Sequence, residues 1–207
     1  MKEYRKYFKS TIKEYFPNQA LQMLLTTDEN YKIISADTRF AIRSKNPIDR
    51  RLDFSAYFLS FIKTMDEQGE SFATTRKICL EIVTDYVRPK NKIQQLLKRL
   101  PVKLVGTRLM KVFLKIFDRK VRTKAHADGF VAQIITGKED TFGLGYGIDI
   151  LECGICKLFK KNNYEKYSSI LCEVDEITSA LAGLKLIRIG TIASGAKKCD
   201  FRFKREE

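Results

Sequence analysis

Residues 128–152, DGFVAQIITGKEDTFGLGYGIDILE, and 185–205, KLIRIGTIASGAKKCDFRFKR, decide the fold. Short runs of Val, Ile and Phe bounded by Gly read as strands. They are DGFVAQIITG (128–137), TFGLGYGIDILE (141–152), KLIRIGTIASG (185–195) and KKCDFRFKR (197–205), the last two joined through Ala193 to Lys197. Between the second and third lie CGICKLFKKNN (153–163) and YSSILCEVDEITSALAGL (167–184), a short and a longer helix. The longer one sets Ile170, Leu171, Val174, Ile177 and Leu181 on its inner side and stops at Gly183. The order β-β-α-α-β-β with tight connections implies an antiparallel sheet backed by helices, an α+β fold rather than a doubly wound one.

Upstream the texture is helical. Tyr4, Phe8, Ile12 and Tyr15 or Phe16 recur at helical spacing, and Pro17 stops them. The segment 18–42 reads as helical with a break near Asp28 to Asn30. In DFSAYFLSFIKTMDEQG (53–69), Asp53 is positioned as the cap and Gly69 as the stop, around a face of Phe54, Tyr57, Phe58, Phe61, Ile62 and Met65. The next helix carries Cys79 beside Ile78, Ile82 and Val83, as a core thiol. A short helix is expected over about 91–100, with Pro101 preceding a further one. The 207 residues accommodate one sizeable core, so the reading is a single domain, 1–124 mainly helical and 125–207 α+β.

The chain is 44% hydrophobic, and no stretch of it reads as a membrane span or an export signal, which points to a cytoplasmic protein with reduced thiols. Net charge is +14, concentrated between Lys98 and Lys124, where ten Lys and Arg stand against Asp118 alone. Such a segment attracts anions, whether nucleic acid, an acidic membrane surface or anionic metabolites. Within it, Leu109, Val112, Phe113, Ile116 and Phe117 share one side of a helix and Lys111, Lys115 and Arg119 the other. Packing of that apolar side on the core is the expectation, and lying on a membrane surface the alternative. Neither a nucleic acid nor a membrane is the expected partner. Oligomeric state is not legible.

Gly143, Gly145 and Gly147 do not make a dinucleotide fingerprint, because a strand follows where a phosphate-binding helix should begin. Read as alternate strand positions, they leave one face bare for a packed helix or a ligand. The cysteines run C-x2-C at Cys153 and Cys156, then Cys172, then Cys199. A zinc ribbon wants a second C-x2-C or a His pair, and the only histidine, His126, reads as a surface loop residue. No metal and no cofactor is called for. Cys153 and Cys156 fall at a strand-to-helix turn, where helix N–H groups and dipole lower a thiol's pKa and favour nucleophilic chemistry on a polarised carbon.

The set ECGICKLFKKNN, ILCEVD and LIRIGTIASGAKKCDFRF resembles the C-terminal signature of the L-2-amino-thiazoline-4-carboxylic acid hydrolase family. The matching positions are Cys153 or Cys156, Cys172 with Asp175, Arg188 with Thr191, Gly195, and Cys199-Asp200-Phe201, within about residues 145–203. The resemblance implies opening of a small cyclic amidine that bears a carboxylate, at its amidine-like C–N bond, to an N-carbamoyl cysteine. It implies Cys153 or Cys156 as nucleophile and Asp175 or Asp200 as acid or base. Arg188 would clamp the substrate carboxylate, with Thr191, Cys172, Cys199 and Gly145 in the substrate pocket. The blander reading of the same residues is structural: Cys199, Phe201 and Phe203 share a core face, Asp175 lies on a helix surface, and Arg188 bridges Asp200 across a hairpin. More loosely, the layout resembles vinyl-reductase-associated domains, which implies a non-catalytic module binding a small molecule or a metal.

Overall fold

The structure is a computed structural model that describes residues 4–205. The strand-forming runs become β1 (Val131–Ile135), β2 (Gly147–Glu152), β3 (Leu184–Ile187) and β4 (Cys199–Arg205). They form one sheet in the order β1-β2-β4-β3, every neighbouring pair antiparallel. α7 (Gly154–Lys161) and α8 (Ser168–Leu181) lie between β2 and β3, and α1 to α6 precede β1. The α+β architecture with a helical N-terminal part is thus the observed one.

The chain divides into two compact units that interleave in sequence. The first takes the residues up to Arg43, then Arg50–Val87 and Ile155–Val174. The second takes Ser44–Asp49, Arg88–Gly154 and the chain from Asp175 onward.

The first unit is built on α1 (Arg5–Tyr15), α2 (Ala20–Ile34), α3 (Arg51–Glu67) and α4 (Phe72–Val87). Its core holds Phe8, Met23, Tyr57, Phe58, Phe61, Ile62, Cys79 and Phe159. Phe8 meets the rings of Tyr57 and Phe61 edge-on at 4.9 and 5.5 Å, the geometry aromatic quadrupoles prefer. Helix α2 runs unbroken through Asp28 to Asn30, contrary to expectation, because tertiary partners take up those polar groups. Asp28 binds Arg5 at 2.6 Å and accepts the Tyr57 hydroxyl at 2.9 Å, while Asn30 donates to Thr64 and Glu67. Nor is Asp53 a cap. The helix starts two residues earlier, and the Asp53 carboxylate accepts the hydroxyls of Tyr4 and Tyr31 at 3.0 and 2.6 Å. Gly69 does close α3, at φ +78°, with the Glu70 N–H reaching back to the Met65 carbonyl. Cys79 is fully buried, which pushes its thiol pKa up.

The second unit carries the sheet, α5 (Lys92–Leu104) and α6 (Arg108–Arg122). Pro101 does not separate these helices. It lies inside α5, and the break falls at 105–107, where Thr107 caps α6 by accepting the Met110 N–H. Helix α6 is seated by Leu114 and Val121, both buried, and by Asp118, which accepts the Ile134 N–H of β1 at 2.7 Å. Most of the side expected to cover the core faces solvent instead: Leu109, Val112, Phe113 and Ile116 are exposed, and only Phe117 is half-buried. A narrower apolar stripe on the same helix had won the core.

Residues 44–49 are threaded into this unit and are buried through polar groups. Asn46 donates to the carbonyls of Val121 and Phe130, and Asp49 accepts the Phe130 N–H at 2.8 Å. Gly129 is required there, because a Cβ would stand 2.9 Å from Asp49 Oδ1.

The glycine run is also corrected. Only Gly147 belongs to a strand; Gly143 and Gly145 sit at φ +79° and +75° in the turn before β2. Left-handed turn positions, not a bare sheet face, account for these glycines.

Candidate functional site

In β4 the pleat sends Cys199, Phe201 and Phe203 to one face of the sheet and Asp200 and Arg202 to the other. On the first face, the Arg188 guanidinium lies over the Phe201 ring, 5.2 Å from its centroid. Arg188 follows β3 directly and is largely buried. Its Nη1 is 3.6 Å from Asp175 Oδ2, and its Nη2 is 3.8 Å from Glu176 Oε1, both acids on α8. These ion pairs hold the guanidinium beside two carboxylates of one helix.

Cys199 sits beside this pair, buried. Burial pushes its thiol pKa up. The Ile192 N–H, which donates to Sγ at 3.2 Å, and the Arg188 charge pull the other way, whereas Cys153 and Asp175 lie close enough to add to the rise. Cys153, Asp175 and Arg188 are thus all near enough to the Cys199 thiol to influence its charge. Cys153 is half-buried, between the end of β2 and the first residue of α7, at the strand-to-helix turn.

The loop between β3 and β4 is held in shape from both ends. Asp200 accepts the N–H groups of Ile189 and Gly190 at 3.1 and 3.0 Å. Thr191 caps a short 3-10 turn reciprocally with Ser194, and Gly195 ends it at φ +89°. These bonds fix where the Ile192 N–H points, and hence its contact with Cys199. Asp200 thus shapes the loop from the face opposite Cys199, and Thr191's hydroxyl is occupied by Ser194.

The remaining predicted residues lie elsewhere. Cys156 is half-buried within α7, and the Cys172 thiol points at the Ser168 carbonyl one turn back in α8; both belong to the first unit. Gly145 donates its N–H to the Thr141 hydroxyl in the turn before β2. No disulfide joins the five cysteines, and the described residues contain no cluster of three or more His, Cys, Asp or Glu arranged to hold a metal ion. His126 is exposed, and its Nδ1 accepts the Asp128 N–H.

The sequence reading passed over Asp149. It is buried on the same face of the sheet as Asp200, its partner in register, and takes Arg202 at 2.8 Å and Lys198 at 2.6 Å. Burial pushes its pKa up, but hydrogen bonds from Arg202, Lys198 and Gln133 outweigh that and hold it below the usual carboxylate range. The signal was a lone acid amid apolar residues in IDIL, with basic residues alternating in the facing strand.

Comparison with curated proteins and with solved structures gave no significant match in either case. The family described as L-2-amino-thiazoline-4-carboxylic acid hydrolase matches residues 50–203, a span that contains α3, β1 to β3, most of β4, and Cys153, Asp175, Arg188 and Cys199. With most of its length covered, the chain belongs to the L-2-amino-thiazoline-4-carboxylic acid hydrolase family.

Proposed function

We propose that this protein hydrolyses a small cyclic amidine of the thiazoline type that bears a carboxylate, with Cys153 as nucleophile. The pairing of Arg188 with Asp175 over the sheet face that holds Cys199, with Cys153 near enough to influence that thiol, carries this reading, and family membership supports it. Cys153 is preferred to Cys156 because it shares a unit with Arg188 and Asp175. It is preferred to Cys199 because burial holds that thiol protonated.

Arg188 receives the substrate carboxylate, its guanidinium plane steadied by Phe201. The Cys153 thiolate adds to the amidine carbon, and the ring carbon–sulfur bond breaks, its electron pair leaving as a thiolate that takes a proton from Asp175. This forms an S-linked isothiourea on Cys153. Asp175 then draws a proton from water, which adds to the same carbon and expels Cys153. Both nitrogens stay on that carbon, which an N-carbamoyl cysteine requires. The bond broken is therefore carbon–sulfur, not the carbon–nitrogen bond first expected. Asp200 and Thr191 act as positioning residues for the loop, and Cys199 forms the floor.

The test is release of free thiol from 2-aminothiazoline-4-carboxylate by the purified protein. Cys153→Ser should lower kcat by at least about a thousandfold. Arg188→Lys should raise KM about 10- to 100-fold, the loss of a hydrogen-bonded charge pair. Brief iodoacetamide treatment near pH 6 should label Cys153 and spare Cys199. Absence of turnover on every thiazoline tried, with Cys153 unlabelled, rejects the nucleophile; substrate binding without turnover indicates a binding module.

A further inference from the structure

Nine large apolar side chains stand out of the second unit on two consecutive helices. On α5 they are Ile93, Leu96, Leu97, Leu100 and Leu104, and on α6 Leu109, Val112, Phe113 and Ile116, between 39% and 82% exposed. Single exposed apolar residues are ordinary, but an apolar stripe sustained along a helix marks an interaction surface, and two consecutive helices each carry one.

The stripes share one layout. Lys92, Ile93, Leu96, Leu97, Arg99, Leu100 and Lys103 recur sixteen residues on as Arg108, Leu109, Val112, Phe113, Lys115, Ile116 and Arg119. On a 3.6-residue helix this places each apolar stripe beside a flank of cations: Lys92, Arg99 and Lys103 on α5, and Arg108, Lys111, Lys115 and Arg119 on α6. Helix α6 therefore has three stripes around its axis. Leu114 and Val121 seat it on the protein, the apolar stripe is open, and the cations border the open stripe. Helix α5 has no buried residue at all. The one acid of the segment, Asp118, accepts the Ile134 N–H with one oxygen and pairs with Arg122 through the other.

We propose that α5 and α6 form a peripheral membrane-docking surface that inserts its apolar stripes into the interface of a bilayer rich in anionic lipid. No helix among the described residues is long and apolar enough to cross a membrane, so the binding is interfacial. Charge complementarity selects this occupant. A second copy of the chain would bring two cationic flanks together. A nucleic acid would engage the cations and leave the apolar stripes in water. An anionic lipid surface satisfies both, burying the stripes in the acyl boundary while its headgroups face the lysines and arginines.

Flotation of the full chain with phosphatidylcholine vesicles and with equimolar phosphatidylcholine–phosphatidylglycerol vesicles tests this, apart from any activity on thiazolines. The expected result is flotation with the anionic vesicles alone, weakened by salt. The double variant Leu109→Ser/Phe113→Ser alters only exposed side chains and should lower the partition coefficient about tenfold or more. Lys111→Glu/Lys115→Glu should abolish the preference for phosphatidylglycerol. Failure to float with either vesicle overturns the proposal. So does flotation unaffected by the serine variant, which charge alone would explain. A dimer in sedimentation that the serine variant disperses, with no flotation, assigns the face to a second copy and also overturns it.

Discussion

Helices α3 and α6 carry the same spacing of large apolar residues and put them in opposite places. In α3, Phe54, Tyr57, Phe58 and Phe61 follow the i, i+3, i+4, i+7 pattern, and the last three are buried with almost no exposure. In α6, Leu109, Val112, Phe113 and Ile116 follow the identical pattern and remain in water. The pattern states which residues share a side of a helix. Whether that side is buried depends on how many other elements surround it. α3 is enclosed on nearly every side, with Ser55, Ser60 and Thr64 buried as well as its aromatics. Those hydroxyls are satisfied by donating to carbonyls one turn back, which lets the polar side of the helix enter the core. α6 meets β1 along the stripe of Leu114, Asp118 and Val121, and its wider apolar side is exposed.

The sharpest break of this comparison is truncation of a buried ring. Phe61→Ala should destabilise the protein by about 3–5 kcal/mol in denaturant unfolding, from lost transfer energy plus the cavity left behind. A loss under about 1 kcal/mol would mean the first unit's core is far more pliant than its packing implies.

Next in size is the polar counterpart in the second unit. Asp149→Asn should lose about 2 kcal/mol near neutral pH, because it leaves Arg202 and Lys198 without their shared anion. Since the folded pKa of Asp149 is depressed, the stability it supplies is complete above the unfolded value and disappears as pH falls through the folded one. The wild type should therefore lose its advantage over the variant progressively below about pH 4. A difference between the two that stayed constant down through that range would remove Asp149 as the source.

The smallest effect belongs to the exposed ring. Phe113→Ala should change stability by no more than about 0.5 kcal/mol by the same denaturant measurement. A loss close to that of Phe61→Ala would show that α6 is buried in solution and would end the contrast.

The sheet was legible because its chemistry is local. β-Branched runs bounded by glycine, in the order β-β-α-α-β-β, allow few antiparallel arrangements, and the observed one is among them. Gly69 and Cys79 were readable for the same reason, one from backbone conformation and the other from its apolar neighbours. The break expected at Asp28 and the cap expected at Asp53 failed because their partners are distant in the chain: Arg5 and Tyr57 for the first, Tyr4 and Tyr31 for the second. An acid in a helix reads as a local feature until a far hydroxyl or guanidinium claims it.

Around the candidate site the division is similar. The strand-to-helix turn singled out Cys153 and Cys156, and the family resemblance added Asp175, Arg188, Thr191, Cys199 and Asp200, together with Cys172 and Gly145, which lie elsewhere. Spacing along β4 also placed Asp200 opposite Cys199, since the period of a strand is two. What only the tertiary structure decided was which groups meet. It set Arg188 over Phe201 and near Asp175, occupied Thr191 with Ser194, and aimed the Ile192 N–H at the Cys199 sulfur. It also left one apolar helix face in water and enclosed another of equal spacing. Local sequence sets the side from which a residue projects, through the backbone's fixed periods. Burial and pairing depend on residues far along the chain, and only the closed fold brings those together.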